Sequence, residues 1–330
     1  MQVESTHELH LEGHKLLPTH PHLAFQCFAA AAARGHGPSH AQLAHLHLSG
    51  LSAADKNVAR AHELAACGAA LGCSDSKGVL GWLTYKGRGV FRNKQTGEQL
   101  MRESADAGSA WGQWALGLMY YQRQSRMPAE IEGHCREETV RYFRMAAERG
   151  HSDAQFYLGR VLEGRVDQHF GVGVDREHFG VGVDRDINEA ARFYLMAAQQ
   201  GHSAAQTKLG NMFEWGEYPE GMNDAVLGEI VRYFRMAAQR GHSDAQVYFG
   251  FLLRDGCGVA QDSAEAERYF IMAAEQGNSE AMFQLGEMYH SKWEKGNEPG
   301  SNWYRLGKRY YSAAEEHGHW AHNWPPDRWK

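Results

Sequence analysis

Histidine is the residue type in this sequence with the widest capacity for chemistry, because the chain contains 20 histidines. His10 and His14 are four residues apart on a predicted helix, and His36 and His40 share that spacing around a predicted helix start. Paired imidazoles at this spacing can bind Zn²⁺. No carboxylate or cysteine completes a familiar ligand pattern. We therefore predict surface and turn histidines with no bound metal or other cofactor, and keep metal binding as the alternative.

Signatures of enzymes are missing from the sequence. It contains no GxSxG and no Walker A motif, and the Gly-Val-Gly-Val runs at 171–174 and 180–183 lack a third glycine and flanking strands. Irregular spacing without a CxxC motif argues against a disulfide framework and favours a reducing compartment. The cysteines, predicted to be free and buried, are Cys27, Cys67, Cys73, Cys135 and Cys257. The prediction is a protein that is not an enzyme.

Composition narrows the classes of partner. The 330 residues are 43% hydrophobic and 22% charged, with a formal net charge of −6. A general nucleic-acid binder usually carries a basic stripe, so we predict no nucleic-acid partner. No apolar run reaches the eighteen or so residues that a membrane helix needs, and the first residues lack the pattern of a secretory signal. The sequence therefore predicts a cytoplasmic protein with no membrane span.

A repeated phrase organises the chain. Residues 140–155 recur at 231–246 with one change, Glu148 to Gln239, and looser copies lie at 191–206 and 267–282. The basic period is about 36 residues with insertions, one of which duplicates residues 169–176 as 178–185. Periods of 20–50 residues are typical of solenoids. The predicted turn glycines are Gly35, Gly72, Gly108, Gly150, Gly201, Gly241, Gly277 and Gly318.

Each repeat is predicted to contain two helices. The turn glycine would end the second helix in a left-handed conformation. Asp186 and Asp262 are predicted N-caps of second helices. A Leu-Gly pair inside the first helix, as at Leu158-Gly159, would let a neighbouring helix come close. Ser-x-x-Gln after the turn is interpreted as a capping box, at Ser39/Gln42, Ser152/Gln155, Ser203/Gln206 and Ser243/Gln246.

Three motifs in register, A-x-x-x-L-G, G-x-G-V-x-x-D and A-A-x-x-G-H/N-x-x-A, together resemble the Sel1-like repeat family, relatives of the tetratricopeptide repeats. The resemblance implies an all-α fold without a sheet, a right-handed α/α superhelical solenoid of about eight helix pairs. It also implies a scaffold or adaptor role. We divide the chain into an N-terminal capping helix pair at 1–38, about seven repeats at 39–318 and a Trp-rich C-terminal tail at 319–330.

Aromatic residues are the candidate partner-binding residues. First helices line the concave surface in tetratricopeptide-like arrays, and several tryptophans lie in or at the end of predicted first helices. These tryptophans either belong to the core or form an aromatic ladder for a helix or extended peptide. The tail is either a strap over the last helices or a recognition segment. The predicted binding residues are Trp82, Trp111, Trp114, Trp215, Tyr218, Trp293, Trp320, Trp324 and Trp329.

The leading functional hypothesis is a non-enzymatic scaffold or adaptor that binds a protein or peptide partner on the concave surface. A narrower form, suggested by how bacteria use the family, is a regulatory or toxin-immunity protein. The alternative is a metal-binding protein or metal-dependent enzyme that uses the His-rich N-terminal region. Because near-identical repeats cannot supply unique contacts, specificity is expected in the parts that do not repeat: residues 122–137, 169–186, 215–224 and the tail.

Overall fold

The computed structural model describes residues 5–17, 20–49, 56–124, 129–163, 186–212, 221–296 and 302–318, and these residues form helices joined by short turns. The helices within the described residues are α1 (Thr6–Leu16), α2 (Pro21–Ala33), α3 (Gly37–Ser49), α4 (Val58–Ala70), α5 (Ser74–Lys86), α6 (Lys94–Asp106), α7 (Ala110–Gln124), α8 (Ala129–Glu148), α9 (Ser152–Glu163), α10 (Ile187–Gln199), α11 (Ser203–Asn211), α12 (Asp224–Gln239), α13 (Ser243–Asp255), α14 (Ser263–Glu275), α15 (Ser279–Gly296) and α16 (Asn302–Glu316). The predicted all-α fold of paired helices is confirmed.

The chain divides into two compact units, Met1–Ala205 and Gln206–Lys330. In the first unit, each of α1 to α9 packs on the helix that follows it in the chain. The odd-numbered helices also pack on one another, α3 on α5, α5 on α7 and α7 on α9. These first helices of successive repeats therefore form one continuous layer. In the second unit, α12 to α16 pack in the same sequential manner.

The repeated turn ends each second helix in the same way. Gly150 has a φ of +85°, its N–H donates to the carbonyl of Ala147 at 3.0 Å, and the N–H of His151 donates to Ala146 at 3.1 Å. This pair of bonds satisfies carbonyls that the helix end would leave unpaired. All eight predicted turn glycines have a φ between +80° and +89°. The turns are therefore confirmed.

The predicted capping boxes are wrong. Ser152 is the first helical residue of α9, so the N-cap is His151 and not Ser152. Nδ1 of His151 accepts from the N–H of Ala154 at 3.4 Å. The side chain of Gln155 donates back to the carbonyl of Ala147 at 3.0 Å instead of closing a box. Ser39 likewise lies inside α3. The histidine after the turn glycine therefore occupies the cap, because the glycine brings its ring close to the first turn of the next helix.

The Leu-Gly pairs do allow close helix packing. A Cβ atom placed on Gly117 would lie 2.6 Å from Cδ1 of Phe143, and one on Gly159 would lie 2.7 Å from Cε1 of Tyr194. Gly250 meets the ring of Phe270 in the same way at 2.6 Å. Real Cβ atoms do not approach that closely, so each of these glycines provides space for an aromatic ring of the following second helix. The prediction from the repeated glycine is confirmed.

The predicted aspartate caps are also confirmed. Oδ1 of Asp186 accepts from the N–H groups of Asn188 and Glu189, and Oδ1 of Asp262 accepts from those of Ala264 and Glu265. Each aspartate thereby accepts from N–H groups in the first turn of its helix, which have no carbonyl partner within the helix. Negative charge at this end also interacts favourably with the helix dipole.

Asp262→Ala is expected to lower the free energy of unfolding by about 0.5–2 kcal/mol, since it leaves the first turn of α14 uncapped. Urea unfolding followed by circular dichroism measures the change. Asp262→Asn is the matched control, because it keeps an acceptor oxygen in the same place. An equal loss in both variants would show that the cap hydrogen bonds are not the source of the effect.

Some sequence expectations need correction or fall outside the described residues. Residues 122–137 are not one long loop, because α7 continues to Gln124 and α8 starts at Ala129. None of the five cysteines, all within the described residues, forms a disulfide, but only Cys135 and Cys257 are buried, Cys67 being exposed. The insertions at 169–185 and 215–220 and the tail after Gly318 lie outside the described residues. Within the described part of the chain, no helix has both the length and the apolarity to cross a membrane.

Candidate functional site

The layer of first helices in the first unit carries an aromatic cluster, which we call the tryptophan cluster: Trp82 on α5, Trp111 and Trp114 on α7, His45 on α3 and His151 at the start of α9. The rings of Trp111 and Trp114 are 5.3 Å apart at 85°, and those of Trp82 and Trp114 are 5.8 Å apart. Trp111 also meets His45 at 5.0 Å and His151 at 4.8 Å. Three of the predicted binding residues are therefore brought together.

The tryptophans of this cluster differ in exposure. Trp82 and Trp114 are 8% and 9% exposed, whereas Trp111 is half-buried. Lys86 lies over the ring of Trp82 at 4.7 Å, a cation–π contact at the edge of the cluster. Trp111 is therefore the tryptophan of the cluster with the most exposed ring surface.

Two polar atoms in the tryptophan cluster have no hydrogen-bond partner among the described residues. They are Nε1 of Trp114 and Nε2 of His151, both buried, and the two rings are stacked 5.2 Å apart at 15°. Because Nδ1 of His151 accepts from the N–H of Ala154, Nε2 carries the proton and is a donor. Leaving a buried donor unpaired costs about 1–3 kcal/mol. A buried unpaired donor in a native structure therefore requires an explanation.

The protonation states of His45, His151 and Asp153 follow from burial, one hydrogen bond and the neighbouring imidazoles. Burial lowers the pKa of His151 to about 4, and it also lowers the pKa of His45. Burial alone would raise the pKa of Asp153, but the hydrogen bond from His202 and the nearby imidazoles outweigh it and lower this pKa to about 2. At neutral pH the cluster therefore holds a neutral His151 beside an ionised Asp153.

The helix pairs repeat along the chain in a pattern shared with a known family. The Sel1 repeat model matches residues 8–36, 37–73, 79–109, 112–151, 152–202, 203–242, 243–278 and 279–319. The chain belongs to the Sel1 repeat family. Sel1 repeat proteins generally mediate protein–protein interaction and are generally not enzymes.

The curated relatives of this Sel1 repeat chain are longer proteins, and the chain matches only part of each. An uncharacterized protein of Neisseria meningitidis serogroup B is 28% identical over 210 residues, which is 61% of this chain and 38% of the relative. DAP3-binding cell death enhancer 1 of Rattus norvegicus is 34% identical over 121 residues, 36% of this chain and 19% of the relative. The chain thus spans well under half the length of both curated relatives.

Several solved structures are also similar to this chain. A protective antigen of uropathogenic Escherichia coli with an SLR fold is 24% identical, with a TM-score of 0.47 over 94% of this chain and 65% of that chain. A Sel1 repeat protein of Oxalobacter formigenes is 22% identical, with a TM-score of 0.47 over 83% and 96%. An immunity protein of Pseudomonas aeruginosa is 15% identical, with a TM-score of 0.42 over 82% and 81%. The family assignment rests on the repeat matches.

Three pairs of successive Sel1 repeats are joined by a hydrogen bond at the start of the next first helix. Oδ1 of Asp153 is 3.1 Å from Nε2 of His202, the N-cap of the next first helix. Asp75 and Asp244 occupy the equivalent position in other repeats. Asp75 accepts from Ser109 at 2.6 Å, and Asp244 accepts from Asn278 at 2.8 Å. In each pair, the aspartate of one repeat holds the cap residue of the next repeat.

Trp111 occupies the repeat position that those aspartates occupy. It precedes Asp153 by 42 residues, and Trp114 precedes Phe156 by the same number. Trp111 contacts the cap residue His151 with its ring and offers it no oxygen, which explains why Nε2 of His151 is unpaired. Sequence reasoning missed His151, which was interpreted as an ordinary turn residue. The signal that identifies it is the exchange of aspartate for tryptophan at one repeat.

The remaining predicted binding residues are not part of this cluster. Trp293 lies on α15 in the second unit, half-buried, with its ring 5.5 Å from Tyr304 and 5.6 Å from His290. The others lie outside the described residues: Trp215, Tyr218, Trp320, Trp324 and Trp329.

The N-terminal histidines form a second cluster between α1 and α3. The ring of His10 lies 4.6 Å from His14 and 4.8 Å from His36. Nδ1 of His10 and Nδ1 of His36 both contact Oγ of Ser39, at 3.0 Å and 2.9 Å. Among the described residues no group of three or more His, Cys, Asp or Glu side chains is arranged to hold a metal ion.

Stability is expected to fall as the pH falls from about 6.5 to about 4, the range between the ordinary histidine pKa and those of His10 and His151. Burial lowers both pKa values, with neighbouring imidazoles adding to the effect at His10. Between these pH values the unfolded chain binds more protons than the folded chain, so the free energy of unfolding decreases on acidification. Above pH 6.5 this contribution is complete.

Chemical unfolding of wild type and His151→Asn at a series of pH values checks this prediction. Asn can replace the cap hydrogen bond but does not titrate, so the variant should lose less stability on acidification. His242→Asn, at the equivalent turn where the side chain is exposed, is the matched control. Identical pH dependence in wild type and His151→Asn would show that burial of His151 does not contribute.

Proposed function

We propose that this Sel1 repeat chain is a non-enzymatic scaffold or adaptor that binds a protein or peptide partner along its layer of first helices. The observation that carries this proposal is the tryptophan cluster. In it, a half-buried Trp111 lies beside two buried donors, on Trp114 and His151, that have no hydrogen-bond partner among the described residues. Tryptophan in a well-packed setting is a typical anchor of protein interfaces. Helix α7 would contribute the largest part of the contact.

The protonation states of the cluster favour binding over catalysis. A general acid or base works best when its pKa is near the operating pH. The pKa of His151 is lowered to about 4 and that of Asp153 to about 2, so neither group exchanges protons readily at neutral pH. Asp153 is also committed to His202 at 3.1 Å. The cluster therefore suits recognition of a partner.

The proposal extends to parts of the chain with a supporting or auxiliary role. The helix pair α1 and α2 would cap the array at 1–38, and the array would extend from 39 to 318. Trp293 would add a contact in the second unit, and Trp215, Tyr218, Trp320, Trp324 and Trp329 would add contacts from the insertions and the tail. A cytoplasmic protein partner fits these features, and a toxin or enzyme held in check is the narrower form.

Affinity capture from the native host tests the proposed function, with wild type, Trp111→Ala and Trp303→Ala as baits. Trp303 is 41% exposed on α16 and provides a matched control outside the tryptophan cluster. Loss of an interface anchor costs about 2 kcal/mol or more, so recovery of the partner by Trp111→Ala should fall at least about tenfold. Wild type and Trp303→Ala should retain a stoichiometric partner.

Two outcomes would contradict the proposal. If wild type retains no stoichiometric protein, binding of a stable partner is not its function. If Trp111→Ala retains the partner as well as wild type does, the partner binds elsewhere on the chain. Identification of a toxin among the retained proteins, together with loss of its activity on binding, would establish the narrower immunity role.

A further inference from the structure

The junction between the repeats that begin at α7 and α9 lacks an oxygen atom that equivalent junctions possess. Asp75, Asp153 and Asp244 each place a carboxylate on the cap residue of the next first helix. At this junction Trp111 takes the aspartate position, and Nε2 of His151 is buried without a partner among the described residues. The missing group is therefore a hydrogen-bond acceptor and, by comparison with its neighbours, a carboxylate.

The surroundings of His151 fit the same chemistry. Nε1 of Trp114 is a second buried donor without a partner, on a ring stacked against that of His151 at 5.2 Å. An indole nitrogen can only donate, so the two atoms together require an acceptor and exclude an ammonium group. The ring of Trp111 lies at 80° to that of His151 and at 85° to that of Trp114, forming a wall beside both donors.

We propose that an aspartate or glutamate side chain from an extended segment of the partner protein supplies this carboxylate, accepting hydrogen bonds from Nε2 of His151 and Nε1 of Trp114. This inference rests on the proposed function and specifies its chemistry. The partner's residue would complete the junction as Asp153 completes the next one. Trp111 would cover the bound carboxylate and pack against the neighbouring apolar side chains of the partner.

Energetics support an acidic group over a neutral one. Hydrogen bonds to a charged group are roughly twice as strong as those between neutral groups. Asp153 is the nearby negative charge that opposes binding, but its carboxylate is already neutralised in part by His202. His151 can stay neutral in the complex, because Nε2 donates to the carboxylate while Nδ1 still accepts from the N–H of Ala154. The site should therefore distinguish a carboxylate from an amide of the same shape.

Two peptide probes test this distinction, acetyl-Phe-Glu-Phe-amide and acetyl-Phe-Gln-Phe-amide. They differ only in the acid and the amide, and their phenylalanines can pack on Trp111. Binding to the full chain is followed by the NMR shift of the Trp114 indole N–H resonance. The acidic peptide should shift that resonance saturably, and the amide peptide should bind at least about tenfold more weakly, which corresponds to about 1.4 kcal/mol.

Two variants alter the site and are expected to stay folded. Trp111→Asp gives the junction the residue found at three equivalent positions, Asp75, Asp153 and Asp244, so the chain's own carboxylate should occupy the site and abolish peptide binding. His151→Asp keeps an acceptor for the N–H of Ala154, as the N-cap Asp262 does for Ala264 and Glu265, and has no N–H of its own to donate. Both variants should keep wild-type circular dichroism and lose at least about tenfold in affinity.

Equal binding of the two peptides would overturn the inference, as would the absence of any saturable shift with the acidic peptide. Unchanged binding by a folded Trp111→Asp variant would also overturn it. These outcomes differ from failure of the proposed function. If Trp111→Ala loses the native partner while the peptides bind equally, the cluster still binds a partner but does not select a carboxylate.

Discussion

Phe143→Ala is expected to lower the free energy of unfolding by about 3–5 kcal/mol, the largest single effect that we expect in the described core. The ring of Phe143 is completely buried and occupies the space above Gly117 on the neighbouring helix. Truncation would leave a cavity between α7 and α8. Chemical unfolding of the full chain measures the loss.

Phe91→Ala is the matched control, because Phe91 is 96% exposed and should change stability by no more than about 0.5 kcal/mol. A double-mutant cycle with Gly117→Ala isolates the contact itself. Gly117→Ala alone should cost about 1–3 kcal/mol through overpacking, but little or nothing when Phe143 is already Ala. Additive effects in the cycle would contradict the close contact between the glycine and the ring.

Tyr194→Phe is expected to cost about 1.5–3 kcal/mol, since hydrogen bonds to charged groups contribute about this much. The hydroxyl of Tyr194 donates to Oε2 of Glu163 at 2.8 Å, and both side chains are buried. Phenylalanine keeps the ring against Gly159 and removes only the hydroxyl. Thermal and chemical unfolding of the variant measure the loss.

Tyr157→Phe serves as the control, because its hydroxyl makes no hydrogen bond within the described residues while its ring stacks on Phe143 at 5.5 Å. This variant should retain nearly full stability. A loss of similar size in both variants would assign the effect to the rings rather than to the bond with Glu163.

The fold could be predicted from sequence because its determinants are local and repeated. A glycine such as Gly150 marks the helix end wherever it occurs, since a left-handed residue there is cheap only for glycine. Asp186 and Asp262 predict their helix starts from position alone. Eight equivalent turns gave eight independent observations of one conformation, which is why the turn positions are all confirmed.

The caps of first helices were mispredicted for a physical reason. Ser152 and Gln155 have the spacing of a capping box, but spacing does not reveal which residue leaves the helical conformation first. The turn at Gly150 is tight enough to place His151 at the cap. Gln155 is then free to bond a carbonyl of the preceding helix, a contact eight residues back that local patterns do not encode.

The candidate site was predicted only in part. Aromatic positions on first helices could be found from periodicity, and Trp82, Trp111 and Trp114 do lie together. The role of His151 depends on a residue of the preceding repeat, and its unpaired Nε2 is visible only when Trp111 is compared with Asp153 in three dimensions. Contacts between repeats therefore had to come from the structure.

Amide hydrogen exchange on the purified complex with the native partner tests the central claim most directly. Exchange is compared between the free and the bound chain, helix by helix. The account predicts new protection in α7 and at the start of α9, with smaller changes in α3 and α5, and none of this protection in the Trp111→Ala variant. Protection confined to the second helices α4, α6 and α8 would contradict it, because the partner would then bind the opposite layer.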